Sequence, residues 1–265
     1  MSQAGGGDWV RSGIGRSTAD SISVRGHDLT DLMGTVSFPD LAWLMVTGRL
    51  PGADESRLFN AVLVSLADHG LTPSVLAARL TSTGAPEALQ AAVAAGLLGA
   101  GSVYLGPTED TARLLHAVVE AAGLDDGSDP DAVRDAAEAA VMAELGAGRR
   151  VPGLGHPVHK TADPRVPRLY ALAAECDRLG PHLRLLDAFA DAYERQQGRR
   201  LPVNGAGAAG AVLADLGLPV EMARGFAVLA RTAGLVAHLA EEREWPLGPS
   251  LYAELERRNA GPPPG

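Results

Sequence analysis

The sequence predicts an all-α protein. Apolar residues recur at helical spacing along most of the chain, and Gly and Pro punctuate it where helices would end. No strand–helix alternation runs through it, which argues against a parallel-sheet fold. With 265 residues the chain can bury a sizeable core without disulfides or metals. Aromatics make up only 4%, so Ala, Leu, Gly and Val must fill that core, which favours closely packed helices.

In chain order, residues 1–8 are Gly-rich and are expected to be flexible. Ser21 to Arg25 is the one strand candidate, followed by a Gly-His-Asp turn. Phe38 to Thr47 sets Leu41, Leu44, Met45 and Val46 at helical spacing, and Gly48 stops it. Residues 54–69 open with acids, which favour a helix N-terminus, and carry a broad apolar face. Thr72-Pro73 fits an N-cap followed by proline, opening a helix through Leu80. Pro86 opens an apolar helix whose run from Ala88 to Gly101 reads as buried core. Residues 108–122, 130–147, Pro164 to Leu179, Pro181 to Gln197, Gly205 to Leu216 and Val220 to Arg243 complete the helices. The Gly-Pro-Pro-Pro-Gly tail, 261–265, cannot be helical.

The net charge of −9 argues against a general nucleic-acid binder, although a local pocket can still hold an anion. Cys176 is the single cysteine, so no internal disulfide and no zinc–cysteine cluster can form. The histidines and acids show no metal-ligand spacing, and no metal is expected. The start lacks a signal-peptide pattern, and the run 88–101 is shorter than a membrane span needs. A cytoplasmic protein with no membrane partner is expected.

The densest polar cluster is Val151-Pro152-Gly153-Leu154-Gly155-His156-Pro157-Val158-His159-Lys160-Thr161-Ala162-Asp163-Pro164-Arg165, a Gly/Pro-punctuated loop before a helix. It holds two histidines and the sole lysine. Its glycines allow close backbone approach to a ligand, and its N–H groups and the following helix start suit a phosphate or carboxylate. Lys160, Arg165 and Arg168 add positive charge. A solvated loop before an ordinary helix N-terminus is the other reading of the same residues.

Val-Pro-Gly-Leu-Gly-His followed by Lys-Thr-Ala-Asp-Pro-Arg resembles the citrate synthase signature, Gly-x-Gly-His and then Asp-Pro-Arg. Other segments resemble the family in its order. They are Ile22 to Gly52, Asp68-His69-Gly70, Leu201 to Ala208 and Phe226 to Arg243, so the resemblance spans roughly residues 20–247. It implies an all-α fold with a large domain, 20–103 and 210–258, and a smaller inserted domain, 104–209, carrying the CoA and substrate loop. It also implies flexible ends, 1–19 and 259–265, and a homodimer whose interdomain cleft closes on the ligand.

The family joins or splits a carbon–carbon bond between acetyl-CoA and oxaloacetate. The resemblance assigns His156 to the ketone or hydroxyl oxygen and His69 to a hydrogen bond with the oxaloacetate portion. It assigns Arg165 and Arg231 to carboxylates, where a bidentate fork fits. It assigns Val151, Pro152, Gly153, Leu154, Gly155 and Lys160 to coenzyme A. Coenzyme A would enter as part of the substrate, with no permanently bound cofactor.

The chain departs from the synthase pattern in three places. Tyr104 stands where synthases carry the histidine that stabilises the enolate; the citryl-CoA lyase branch also lacks that histidine. The catalytic aspartate position falls on Ala206 or, with a small gap, on Asn204, neither of which is a base. Asn204 and Tyr104 are then expected to contact the thioester end. The arginine that reaches a partner's site has no match, whereas Gly234 to Arg243 resembles the lyase module of ATP-citrate lyase. That likeness makes His238 a candidate substrate-binding residue, with helix packing as its alternative. The resemblance favours cleavage of citryl-CoA, or of a related 3-hydroxy-3-carboxyacyl-CoA, to acetyl-CoA and a 2-keto acid. Claisen-type condensation and a non-catalytic CoA- or acid-binding role stay open.

Overall fold

The structure, a computed structural model, describes residues 12–261. It is all-α apart from one small sheet, as the periodicity predicts. Of the ends expected to be flexible, 1–19 and 259–265, residues 1–11 and 262–265 lie outside the described residues. The chain divides into two compact units, Met1–Arg57 and Leu58–Gly265.

In the first unit, β1 (Gly15–Ser17), β2 (Ile22–Val24) and β3 (His27–Asp28) form an antiparallel sheet in the order β1-β2-β3. Two expectations are corrected here. Residues 15–17 are a strand rather than part of a flexible start. His27 and Asp28 pair with Val24 and Ser23, so the turn is Arg25-Gly26, both at positive φ (50° and 85°). A two-residue turn of this hand suits the twist of the flanking strands. Arg25 tolerates it because its Nε and Nη2 donate to the Met45 carbonyl at 2.9 and 2.5 Å. After the short α1 (Leu29–Leu32), α2 (Phe38–Thr47) has the limits read from sequence. The Ser37 hydroxyl accepts from the Asp40 N–H, and Gly48 ends the helix in the left-handed region (φ 83°).

The helix α3 (Ala53–Ala67) leads into the second unit. There follow α4 (Pro73–Gly84), α5 (Leu89–Leu105), α6 (Pro107–Ala122), α7 (Pro130–Gly146), α8 (Arg165–Glu175) and α9 (Pro181–Gln197). The chain closes with α10 (Gly205–Asp215), a short 3₁₀ turn at Val220–Met222, α11 (Ala223–Glu244) and α12 (Gly248–Asn259). The sequence reading assigned no helix here; α12 buries only Gly248.

Two packings build this unit. In one, Val75, Ala78, Ala92, Leu235 and Leu239 bring α4, α5 and α11 together. A Cβ on Gly96 would lie 2.8 Å from the Leu235 side chain, so glycine sets that helix spacing. In the other, α10 is surrounded by α6, α8 and α9 and is buried from Gly207 through Ala214. Leu185, Phe189 and Leu213 are nearly or fully buried in this part of the core. Each such side chain contributes about 1.5–3 kcal/mol through its removal from water.

One expectation about α5 is corrected. Its stripe Ala92, Gly96 and Ala100 is buried, but Leu98 is 82% and Val103 73% exposed. It is therefore a half-covered helix rather than a core helix. The stretch Leu89–Ala122 is long and apolar enough to cross a membrane by composition. The chain leaves helical geometry at Gly101 (φ 51°, ψ −152°), however, and Pro107 starts α6 beyond it.

At the far end of α11, Arg79 is buried against Glu242 and also donates to Glu241 and the Trp245 carbonyl. Burial alone would raise the Glu242 pKa. The N–H groups of Gly248 and Leu247, together with Arg79, outweigh it and hold the carboxyl below its usual range. Glu242 thereby caps α12 and fastens it to α11.

Candidate functional site

The site grows from a pairing of two loops. Gly155 N–H donates to the Pro202 carbonyl (2.7 Å), Asn204 N–H donates to the Gly153 carbonyl (2.9 Å), and Leu154 bridges to Val203. Gly153 and Gly155 have φ of 86° and 78°, so the turn needs glycine at both. A Cβ on Gly207 would lie 2.5 Å from the Gly153 Cα, so glycine also lets α10 come up against the loop.

Asn204 is the N-cap of α10. Its Oδ1 accepts from the Gly207 N–H, and its Nδ2 donates to the Gly155 carbonyl, both at 2.8 Å. Both polar ends are thus engaged by the fold, with one of the two Nδ2 hydrogens and one Oδ1 lone pair committed. Ala206 follows in the first turn of α10, where no carboxylate stands.

Asp163 is 1% exposed. It accepts from Arg165 Nε (2.9 Å) and Nη2 (2.7 Å), from the Arg165 N–H, and from the Gly205 N–H (2.8 Å). Burial would push its pKa up. These donors outweigh burial and hold the carboxyl well below the usual range. Asp163 therefore fixes the Arg165 fork and ties the loop to α10, a role the sequence reading did not assign.

Arg165 and Arg231 converge on the C-terminal end of α3. Arg165 Nη1 donates to the Ser65 carbonyl and Arg231 Nη2 to the Leu66 carbonyl, each at 3.2 Å. Arg231 is 9% exposed, and its buried Nε has no hydrogen-bond partner. Burial lowers its pKa, Asp68 acts against that, and nearby Arg165 adds to it. A desolvated guanidinium with a free donor, beside a second guanidinium, is a place for a carboxylate.

Immediately after α3 comes His69. Its ring centroid lies 5.2 Å from that of His156 and 5.6 Å from that of His159. The His156 and His159 rings stack at 4.5 Å and 27°. All three are partly buried. The sequence placed His69 and His156 together. It left His159 unassigned, although its position three residues after His156 in one loop was the available signal.

The protonation of His156 follows from its surroundings. Its Nδ1 accepts two backbone N–H groups, from Val158 (3.1 Å) and His159 (2.9 Å). The neutral ring therefore carries its proton on Nε2. Burial lowers its pKa, Asp163 opposes that, and His159, His69 and Arg165 push it further down. His156 is thus a neutral N–H donor. One nitrogen from each of His69, His156 and His159 lies within 4.8 Å of the others, close enough for a metal ion. With Nδ1 taken by two N–H groups, a metal would have to bind His156 at Nε2 and displace its proton.

The remaining candidates divide. His238 Nε2 lies 2.9 Å from Asp68 Oδ1 and its Nδ1 3.7 Å from Glu241, so this ring ties α11 to the turn that carries His69. The exposed Lys160 donates to the His156 carbonyl at 3.2 Å, and Val151 is buried at the loop's start. The N–H groups of Gly155, Val158, His159 and Arg165 are all taken up internally. The backbone anion cradle expected from the sequence is thus closed at those positions, and the positive charge comes from side chains. Tyr104 is half exposed beyond the break at Gly101, and among the described residues no hydrogen bond joins it to this cluster.

Residues 51–246 match the family model described as citrate synthase, C-terminal domain. The chain is 32% identical over 193 residues to putative citrate synthase 2 of Mycobacterium tuberculosis, covering 69% of this chain and 47% of that protein. It is 27% identical over 212 residues to the citrate/2-methylcitrate synthase of Bacillus subtilis, covering 78% and 53%. The chain therefore spans about half the length of these synthases. Among solved structures, it resembles the citryl-CoA lyase from Hydrogenobacter thermophilus with TM-score 0.78 and 34% identity, covering 88% of this chain and 87% of that one. An ATP citrate lyase from Methanothrix soehngenii, in complex with citrate and coenzyme A, matches with TM-score 0.72 at 19% identity over 90% of this chain and 39% of that one, a likeness of fold alone. With the signature loop, its arginine fork and the matched segment all in place, the chain belongs to the citrate synthase family.

Proposed function

We propose that the protein is a carbon–carbon lyase that cleaves citryl-CoA, or a related 3-hydroxy-3-carboxyacyl-CoA, to acetyl-CoA and oxaloacetate or a similar 2-keto acid. The observation that carries this reading is the convergence of Arg165 and the partly unpartnered Arg231 at the end of α3, in the neighbourhood of the neutral N–H donor His156. Two guanidinium groups suit the carboxylates of a citryl group. The His156 N–H suits an oxygen that is hydroxyl in the substrate and carbonyl in the product, and such donors contribute most where charge develops. Similarity along 87% of a citryl-CoA lyase chain supports the same reaction class.

The reaction moves the oxygen-bearing carbon from tetrahedral to planar. His156 stabilises the negative charge that grows on the oxygen as its proton leaves, and Arg165 and Arg231 hold the carboxylates so that the breaking bond keeps its orientation. His69 faces the same ligand from the end of α3. The Gly153–Gly155 turn would lie along coenzyme A, with Lys160 near its phosphates. An inserted domain over 104–209, a homodimer and a cytoplasmic location belong to the same proposal. The exposed apolar side of α5, at Leu98 and Val103, is the face a second copy would cover.

The test is a coupled assay in which purified protein receives citryl-CoA and oxaloacetate is followed, with His156→Ala alongside. Turnover lost in the variant is the expected result. A folded, CoA-binding protein that leaves citryl-CoA intact would overturn the lyase reading. Formation of citryl-CoA or citrate from acetyl-CoA and oxaloacetate, without the reverse, would assign condensation instead.

A further inference from the structure

We propose that His159 carries the proton of the carbon–carbon bond step, taking it from the substrate hydroxyl and returning it to the α-carbon of the departing thioester. This inference rests on the reading of the site as a lyase of 3-hydroxyacyl thioesters.

The other groups are already committed. His156 cannot accept the hydroxyl proton at Nε2, which already bears one, and its Nδ1 is held by the Val158 and His159 N–H groups. Protonating Nδ1 would break both of those bonds. Asn204 has no basic atom and is engaged at both ends, while position 206 is alanine. Asp163 is buried under four donated hydrogen bonds, which favour its ionised form and leave it a weak base. Lys160 is exposed and donates to the His156 carbonyl.

His159 has the position the step needs. Its ring stacks on His156 at 4.5 Å and 27°, and one nitrogen of each ring lies within 4.8 Å of the other, within reach of a single ligand oxygen. The substrate oxygen could accept from His156 Nε2 while giving its own proton to His159. His69 is farther from His156 and more tilted, at 5.2 Å and 40°. Among the described residues, no hydrogen bond engages the His159 ring.

The step balances without a co-reactant. The hydroxyl proton passes to a ring nitrogen of His159, and the O–H electron pair becomes the second bond of the new ketone. The pair of the breaking carbon–carbon bond moves onto the α-carbon, forming the thioester enolate. That carbon then takes the proton back from His159, which returns to neutral. Oxygen and α-carbon are both bonded to the same carbon, roughly 2.5 Å apart by ordinary covalent geometry, so one imidazole can serve both. The shuttle thereby replaces the carboxylate that position 206 lacks.

The experiment compares parent, His159→Gln and His69→Gln in citryl-CoA cleavage, with CoA binding and circular dichroism as folding controls. His159→Gln should lower kcat by about 10²–10⁴-fold, the usual span for a general base, with KM changed only a few-fold. A second measurement on the unmutated protein uses ¹⁵N chemical shifts of labelled histidine, where His156 should be the Nε2–H tautomer through neutral pH. If the parent never cleaves citryl-CoA, the functional reading fails and this inference with it. An active parent with an equally active His159→Gln, or a His156 that titrates as the base, overturns the His159 assignment alone.

Discussion

Arg165 fills the place a side chain at Gly205 would take: a Cβ there would lie 2.3 Å from Nε and 2.4 Å from Cζ. Because Asp163 holds the same guanidinium, the fork has little freedom to move aside.

Gly205→Ala should therefore dislodge Arg165 from Asp163 and weaken substrate more than fold. The expected result is a rise in KM for citryl-CoA of at least tenfold, with a stability loss of about 1–3 kcal/mol for overpacking. Gly207→Ala meets the Gly153 backbone instead, which a side chain cannot relieve. Urea denaturation should show the larger loss for Gly207→Ala.

Asp163 makes stability depend on acid. Its pKa in the fold lies below the ordinary carboxylate value of about 3.9, so the unfolded chain binds this proton first as pH falls. The contribution is complete above that ordinary value and is lost progressively below it, towards the lower folded value. Asp163→Asn should cost about 3–5 kcal/mol at pH 7 by leaving Arg165 unpaired, and should flatten the acid limb. Denaturant midpoints across pH 2–7, on a scale where about 1.4 kcal/mol is one pKa unit, measure both effects.

Arg231 should behave oppositely. It is desolvated and lacks a partner at Nε, so an apolar replacement relieves a burial cost. Arg231→Met is expected to unfold no earlier than the parent and to gain on the order of 1 kcal/mol. The thermal shift that oxaloacetate or citrate gives the parent should disappear. A ligand-induced shift retained by the variant would remove Arg231 from the carboxylate site.

Leu98→Glu tests the uncovered side of α5. Charge there should leave the fold intact, since Leu98 is 82% exposed, and should separate a dimer into monomers. Sedimentation velocity of both proteins decides it. Equal sedimentation of both as dimers would place the contact elsewhere, and of both as monomers would overturn the proposed homodimer.

The helices from Phe38–Thr47 to Pro181–Gln197 were legible because their signals are local: the Thr72 cap, Pro at the first turn, and Gly48 closing in the left-handed region. The segment 151–165 was legible as a candidate site because Gly, His, Asp and Arg crowd one loop. Local signals end there. That α5 buries one stripe only, that the turn falls on Arg25-Gly26 and that α12 forms were decided by packing and by strand register. Only the tertiary structure brought His69 from the end of α3 and Arg231 from α11 to the neighbourhood of His156. It alone fixed which His156 nitrogen carries the proton and committed Asn204 to capping α10. Helix propensity and caps act within a turn or two of chain. A site's protonation and its free donors depend on which distant elements meet, which no local pattern encodes.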